Sequence, residues 1–220
     1  MEIHHRTEVV EGASGPLLRK RALTPTGTER LQQEADRLDR AGHLAVVTLV
    51  EVGDDRIDLA WAGAETLALA RLTRGDAART LGAVAATIAD LHDLGIVHGR
   101  LDETHVVLGP GLRPRLCGLR GHEPGRAEVG PADDVADLGR LLQRALGMGA
   151  DPDLVPEHRW RTWPRTSHRD RTLEDLAERA ADPDPARRPT ARALALALAE
   201  VVPGIAELLP DRDEAGGGRA

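Results

Sequence analysis

The sequence contains no phenylalanine and no tyrosine, and tryptophan occurs only three times in 220 residues. A hydrophobic core must therefore be built from leucine, valine, alanine and isoleucine side chains. The single cysteine excludes both an intramolecular disulfide framework and a cysteine-based zinc site. This low cysteine content is compatible with a reducing compartment, and we predict a cytoplasmic protein.

Long apolar segments are missing as well. No run reaches the roughly 18 residues that a membrane-spanning helix requires, and the N-terminal segment lacks the apolar core of a signal peptide. Acidic and basic residues are interleaved and sum to a net charge of -7, which argues against nonspecific binding of nucleic acids. We therefore expect a soluble protein with no membrane partner, and nucleic acid is a disfavoured partner.

Turn residues divide the first part of the chain into short strands. Residues 7–23 predict two strands around a turn at Glu11–Gly15. Residues 44–62 predict two more strands, which are joined by a turn at Gly53–Asp55. The first part of the chain is therefore predicted to form a small, strand-rich unit.

Helical spacing of apolar residues dominates the rest of the sequence and also appears between the two strand pairs. That intervening helix is predicted over Glu29–Ala41, with Thr28 as its N-cap and Gly42 directly after its end. A second helix is bracketed by residues 76 and 95, and two more lie within Thr172–Val202. Strands early and helices later indicate an α+β fold.

The segment Leu91–Leu119 carries the most informative pattern. His98 and Leu101 have the spacing of the H-R-D-L-K-x-x-N catalytic loop of a protein kinase. Leu116–Arg120 matches the apolar pair that precedes Asp-Phe-Gly in kinases, followed by that motif in altered form. Asp182–Thr190 closely resembles the D-P-x-x-R-P-S/T junction near the end of a kinase domain.

Motifs of this kind follow the kinase order from about residue 7 to residue 205, and the chain therefore resembles the protein kinase superfamily, of the bacterial eukaryotic-like Ser/Thr type. The resemblance implies a bilobal fold. Residues 1–67 would form a reduced, β-rich N-lobe, and residues 68–205 a mainly helical C-lobe. Residues 206–220 are predicted to be a disordered tail.

The residues that perform phosphoryl transfer in that family are replaced in the loop that begins at His98. Arg100 falls on the position of the catalytic Asp, Asp102 on that of the Lys, and His105 on that of the Asn. Arginine is effectively never deprotonated, so Arg100 cannot act as the base. Gly118 stands at the position of the magnesium-binding Asp and offers no oxygen to a hard cation. We predict a degenerate catalytic loop and no bound metal.

The resemblance also assigns a nucleotide site. Leu17–Lys20 resembles the V-A-I-K strand, whose Lys reaches the phosphates, and Glu34 stands where a helix-borne Glu pairs with that Lys. Lys20 is the only lysine of the chain, which favours a retained contact with phosphate or Glu34 over a solvated side chain. The implied hinge, whose backbone would contact adenine, consists of Leu59, Ala60, Trp61 and Ala62.

The phosphate-covering loop is reduced, because Gly12 and Gly15 lie in a short connection where a kinase has G-x-G-x-x-G. Without that loop and without metal ligands, ATP held by Lys20, Glu34 and the hinge is expected to bind weakly and independently of metal. The sequence leaves open whether nucleotide binds at all.

Several positions with a structural role persist. Asp134 matches a kinase Asp that accepts backbone hydrogen bonds from the catalytic loop. Arg188 matches an Arg that pairs with the Glu of A-P-E, here Glu128. No Ser, Thr or Tyr lies between Leu119 and Gly139, which excludes activation by phosphorylation of that segment.

These features predict a pseudokinase, a catalytically impaired signalling module that regulates or scaffolds protein partners such as an active kinase or its substrate. An alternative is an atypical ATP-dependent Ser/Thr kinase with a rewired loop, in which Asp102 is a displaced base and His105 or Glu103 holds a divalent ion. A third hypothesis is nucleic-acid binding through the Arg- and Trp-rich segment Arg159–Arg171, which the net acidity disfavours.

Overall fold

The computed structural model describes residues 4–42, 45–120, 129–148 and 168–210. The first part forms a four-stranded antiparallel sheet in the order β1-β2-β4-β3, with one helix between the two strand pairs. Its elements are β1 (His5–Gly12), β2 (Gly15–Ala22), α1 (Pro25–Ala41), β3 (Leu49–Val52) and β4 (Arg56–Ala60).

The second part is mainly helical. Its elements are α2 (Arg74–Asp93), β5 (Val106–Leu108), β6 (Pro114–Leu116), α3 (Pro131–Ala145), α4 (His168–Ala180) and α5 (Ala191–Val201). Helix α2 is buried along most of its length and packs against α3 and α5, while β5 and β6 form a short hairpin. The predicted α+β fold, with strands early and helices later, is confirmed.

Two predicted helix starts are wrong, by four residues in α1 and three in α2, for the same reason. Thr24, rather than Thr28, caps α1, because its hydroxyl oxygen accepts a hydrogen bond from the Gly27 N–H at 3.1 Å. In α2 the cap is Thr73, which accepts from the Asp76 N–H at 3.1 Å, so Asp76 lies inside the first turn. In each case a threonine that lies before the predicted start provides the N-cap. The predicted end of α1 is confirmed, since Gly42 adopts a left-handed φ of 46°.

The chain stays folded beyond the predicted start of the tail at residue 206. Ala206–Leu208 form a single turn of 3-10 helix, and the Leu208 side chain is buried. Ile205 packs closely on α2, where a Cβ on Gly82 would lie 2.2 Å from its Cδ1. A tail can therefore begin only after this apolar anchor. In the described part of the chain, no helix combines the length and apolarity that crossing a bilayer requires.

Candidate functional site

The candidate site lies where β2 and α1 approach the loop after α2. Lys20 projects from the middle of β2, and Glu34 lies on the buried face of α1 together with Leu31 and Leu38. The Lys20 Nζ donates a hydrogen bond to the Glu34 Oε1 at 2.6 Å, and the two residues are only 8% and 6% exposed. The predicted pairing is confirmed, and it is a buried ion pair rather than a surface salt bridge. A role of either residue in nucleotide binding stays a prediction.

A second contact fixes α1 against the segment that follows Gly118. Arg37, one turn after Glu34, donates from Nη1 to the carbonyl oxygen of Leu119 at 3.4 Å. Burial lowers the pKa of the Arg37 guanidinium, although the nearby Glu34 carboxylate opposes that shift. Helix α1 thus contacts both β2 and the predicted metal-ligand segment through polar groups.

Asp134, near the start of α3, organises the loop after α2. Its Oδ2 accepts from the His98 N–H at 2.8 Å, and its Oδ1 accepts from the Gly99 N–H at 2.9 Å. The side chain of Asp134 is fully buried. Gly99 has a φ of 81°, in the left-handed region that favours glycine. The prediction that the loop backbone donates hydrogen bonds to Asp134 is confirmed.

Sequence reasoning missed two further contacts to this loop. The Nε2 of His92 lies 2.9 Å from the Asp134 Oδ2, so the last turn of α2 is joined to the same carboxylate. Asp137 Oδ2 accepts from the Leu101 N–H at 3.1 Å, and burial raises the pKa of Asp137. Asp134 and Asp137 are three residues apart on a helix, a spacing that places both on one face and was the available signal.

His98 is a buried structural residue. Its side chain is fully enclosed, and its Nε2–H donates to the carbonyl oxygen of Cys117 at 3.1 Å. The other ring nitrogen, Nδ1, is buried without a hydrogen-bond partner. Burial lowers the pKa of His98 to about 4, so the imidazole is neutral at physiological pH. The residue joins the loop to Cys117, directly after β6, without carrying charge.

The buried neutral state of His98 predicts a pH-dependent stability. The folded-state pKa of about 4 lies below the ordinary value of 6.5, so its contribution is fully present above pH 6.5 and is lost as the pH falls towards 4. At about 1.4 kcal/mol per pKa unit, the loss should total about 3 kcal/mol. Urea denaturation of wild type and His98→Gln from pH 7 to pH 4 measures it, with the wild type losing more stability on acidification. Parallel pH dependences of the two proteins would contradict this assignment.

His105 fills the space beside Gly118. Gly118 has a φ of 73°, and a Cβ at that position would lie 2.5 Å from the His105 Cδ2 and 2.9 Å from its Nε2. The His105 ring also meets the His98 ring edge to face, with centroids 5.7 Å apart. Burial lowers the pKa of His105, which favours the neutral ring. An imidazole therefore lies where the resemblance places the side chain of a metal-binding Asp.

Asp102 is held by its own loop. It caps the 3-10 turn Glu103–His105, and its Oδ1 accepts from the Thr104 N–H at 2.9 Å. The Nδ1 of His105 lies 2.8 Å from the same oxygen, and the Arg100 Nε lies 3.7 Å from Oδ2. Burial alone would raise the pKa of Asp102, but the Thr104 hydrogen bonds and the proximity of His105 outweigh it and lower the pKa. The carboxylate thus has a structural role in the turn.

Glu103, which was predicted together with His105 as a possible ligand of a divalent ion, pairs with the Arg144 Nε at 3.1 Å. Asp102 and Glu103 are thereby engaged by basic or hydrogen-bonding neighbours of the chain itself. In residues 4–42, 45–120, 129–148 and 168–210 there is no group of three His, Cys, Asp or Glu side chains that could hold a metal ion. The described residues therefore do not fit the magnesium ions of phosphoryl transfer.

The predicted hinge has part of its backbone already paired. The Ala60 N–H donates to the Thr48 carbonyl at 2.8 Å, and the Trp61 N–H donates to the Pro16 carbonyl at 3.2 Å. The Leu59 side chain is fully buried. Within the described part of the chain, the Ala62 N–H has no hydrogen-bond partner, which leaves it as the donor that an incoming acceptor could use.

The connection between β1 and β2 is a turn of two residues, Ala13 and Ser14, flanked by the Gly12–Gly15 pair. The predicted reduction of the phosphate-covering loop agrees with this geometry. A connection of only two residues is too short to fold over a polyphosphate.

Arg188 joins the junction before α5 to the start of α3. Its Nε donates to the Asp182 carbonyl at 2.7 Å, and its Nη1 donates to the Ala132 carbonyl at 2.9 Å. The predicted partner Glu128 lies outside the described residues. So do residues 159–167 of the segment Arg159–Arg171, and nucleic-acid binding through that segment stays a prediction.

No protein-family model matches the sequence, and no curated protein matches it either. The structure is similar to the solved structure of a pseudokinase in its apo form, with a TM-score of 0.68 and 15% sequence identity. The alignment covers 92% of this chain and 89% of the pseudokinase. At this identity the likeness concerns the fold alone. The chain has a protein kinase-like fold, with a small antiparallel sheet followed by a mainly helical part.

Proposed function

We propose that this chain is a pseudokinase, a protein kinase-like module without phosphotransferase activity that regulates protein partners by binding them. The observation that carries the proposal is the imidazole of His105 in the space beside Gly118. Phosphoryl transfer requires metal ions that neutralise the phosphate charge, together with a base that receives the hydroxyl proton. The imidazole and the Arg100 guanidinium replace the oxygen ligands and the base at those positions.

The retained features of the site support binding rather than catalysis. The buried Lys20–Glu34 pair and the Asp134 hydrogen bonds preserve the arrangement of β2, α1 and the loop. These contacts order the backbone without supplying a base or a metal ligand. A well-ordered but inactive surface suits a cytoplasmic signalling role of the bacterial Ser/Thr-kinase type, in which the partner is an active kinase or its substrate.

The proposed nucleotide binding is weak and independent of metal. Lys20 has two ammonium hydrogens beyond the one that it donates to Glu34, and the Ala62 N–H offers a donor to the adenine base. The short β1–β2 turn leaves the phosphates exposed to water. We therefore propose contacts to ATP through Lys20 and the hinge only.

The test combines thermal-shift titration with a radiolabel-transfer assay. Wild type, Lys20→Ala and Arg21→Ala are titrated with ATP, with and without magnesium or manganese. Arg21 is a half-buried cation that follows Lys20 and pairs with Asp55, and it serves as the matched control. A stabilisation of about 2.7 kcal/mol is expected at ATP about 100-fold above its dissociation constant. We expect the shift without metal in wild type and Arg21→Ala, and its loss in Lys20→Ala.

No transfer of the γ-phosphate to the protein or to a generic substrate is expected. Transfer that depends on Lys20 would overturn the proposal, and a thermal shift that requires metal would favour the rewired kinase with Asp102 as its base. The absence of any shift would leave a module that binds protein only.

A further inference from the structure

A cavity of about 500 Å³ shares no lining residue with the candidate site. It is lined by the turn Gly109–Gly111 between β5 and β6, by Arg113–Arg115, by Ala45, and by Leu208 and Pro210 near the end of the described chain. Its volume falls within the roughly 300–1,000 Å³ that ligand pockets usually occupy. The site described above makes no use of it.

The hairpin wall of this cavity is fixed by its own hydrogen bonds. The Gly109 N–H donates to the Arg113 carbonyl at 2.9 Å, and the Leu112 N–H donates to the Gly109 carbonyl at 3.1 Å. Leu112 has a φ of 65°, which costs about 1–2 kcal/mol for a residue with a Cβ, and its side chain packs on the core. The Leu116 N–H donates to the Ala45 carbonyl at 2.8 Å and closes the opposite wall. The cavity is therefore pre-formed.

Two arginines give the cavity its charge. Arg113 and Arg115 are exposed and flank the buried Pro114. Residues two apart on an extended segment point to the same face, about 7 Å from each other. Neither guanidinium has a carboxylate partner in the described part of the chain, whereas many other arginines, such as Arg19 and Arg192, are paired. Two arginines without a carboxylate partner among the described residues thus line one pocket, two positions apart on the chain.

We propose that this pocket docks an extended acidic peptide of a protein partner, in which two carboxylates are separated by one residue. Such residues also project to the same side of an extended peptide about 7 Å apart, which matches the spacing of Arg113 and Arg115. Guanidinium and carboxylate groups bind each other in a planar, two-point geometry. Pro110, Pro114 and Leu208 supply apolar walls for the remainder of the peptide. The inference rests on the proposed role in protein binding but not on the inactivity of the cleft.

Fluorescence anisotropy with a labelled peptide tests the proposal on the full chain. The probe is an eight-residue peptide with the sequence Asp-Ala-Asp between neutral residues, and its control carries the same two aspartates side by side. We expect saturable binding of the probe that weakens by about tenfold in Arg113→Ala/Arg115→Ala. The matched variant Arg6→Ala/Arg187→Ala removes the same charge from exposed sites elsewhere and should bind as wild type does. The peptide with adjacent aspartates should bind about fivefold more weakly than the probe.

Three results would overturn the proposal. They are the absence of binding, equal affinity for the two peptides, and equal losses in the two double variants. The chain's own Asp211-Arg212-Asp213 carries the same spacing of carboxylates. Binding by a chain that ends at Pro210, but not by the full chain, would assign the pocket to that segment instead of a partner. Phosphotransferase activity would refute the proposed function and leave these binding results unaffected.

Discussion

Replacing Asp134 with alanine is expected to lower the free energy of unfolding by about 3–5 kcal/mol. The substitution leaves the His98 N–H without an acceptor in the protein interior, and it also removes the acceptor of the Gly99 N–H and the neighbour of the His92 ring. A buried donor without a partner loses its interaction with water and gains nothing in return. Urea denaturation at pH 7, followed by circular dichroism, measures the change.

The matched control is Asp93→Ala, at the exposed end of α2, where the carboxylate pairs with Arg192 on the surface. Surface pairs contribute about 0–1 kcal/mol, so this variant should remain close to wild type. Asp134→Asn should fall between the two, because the amide keeps one acceptor oxygen. An Asp134→Ala protein as stable as the control would mean that the loop finds other acceptors or water.

The second large loss of stability is expected when the buried pair of Lys20 and Glu34 is broken. Glu34→Ala leaves an ammonium group almost enclosed and without its carboxylate, and removing one partner of a buried pair typically costs about 3–5 kcal/mol. Replacing both residues, as in Lys20→Met/Glu34→Leu, removes the two charges together and should cost about 1 kcal/mol or less. A double-mutant cycle in urea gives the coupling free energy directly.

The control for this cycle is the exposed pair Arg6 and Glu8, whose side chains are 65% and 36% exposed. Its coupling free energy should stay below about 1 kcal/mol. The double variant Lys20→Met/Glu34→Leu is also informative with ATP, because we expect it to fold without the pair and it lacks the proposed phosphate ligand. A coupling near zero at Lys20 and Glu34 would mean that water reaches the pair and screens it.

Sequence reasoning identified the backbone elements because their signals are local. Glycine turns separated the strands, and apolar spacing located the helices to within about one turn. It located the starts of α1 and α2 less well, since each helix has more than one residue that could cap it. Thr24 and Thr28 compete in α1 and Thr73 and Asp76 in α2, and only the geometry selects Thr24 and Thr73. The first residues after 205 were assigned to the tail because their few apolar side chains carry no periodic pattern, although Leu208 is buried.

In the candidate site, too, the contacts that were predicted differ from those that were missed in whether a known pattern pointed to the distant partner. The Lys20–Glu34 pair and the Asp134 hydrogen bonds could be anticipated because the kinase resemblance supplied distant partners. The contact of His92 with Asp134 joins residues that are 42 positions apart, and no pattern in a single sequence reveals it. The packing of His105 against Gly118 was likewise invisible, since it depends on how two loops meet. A single sequence does not show which side chain fills the space beside a glycine such as Gly118.

The contact between His105 and Gly118 also limits which side chains position 118 can accept. A carboxylate side chain at position 118 would force the His105 imidazole to move, because the ring lies 2.5 Å from where the first carbon of that side chain would stand. The His105 ring would have to be replaced first or at the same time, and Gly118 adopts a φ of 73° that a side chain resists. A metal-binding carboxylate at position 118 therefore requires a change at His105 as well as a strained backbone at position 118, so a single substitution of Gly118 is not expected to create a metal site there.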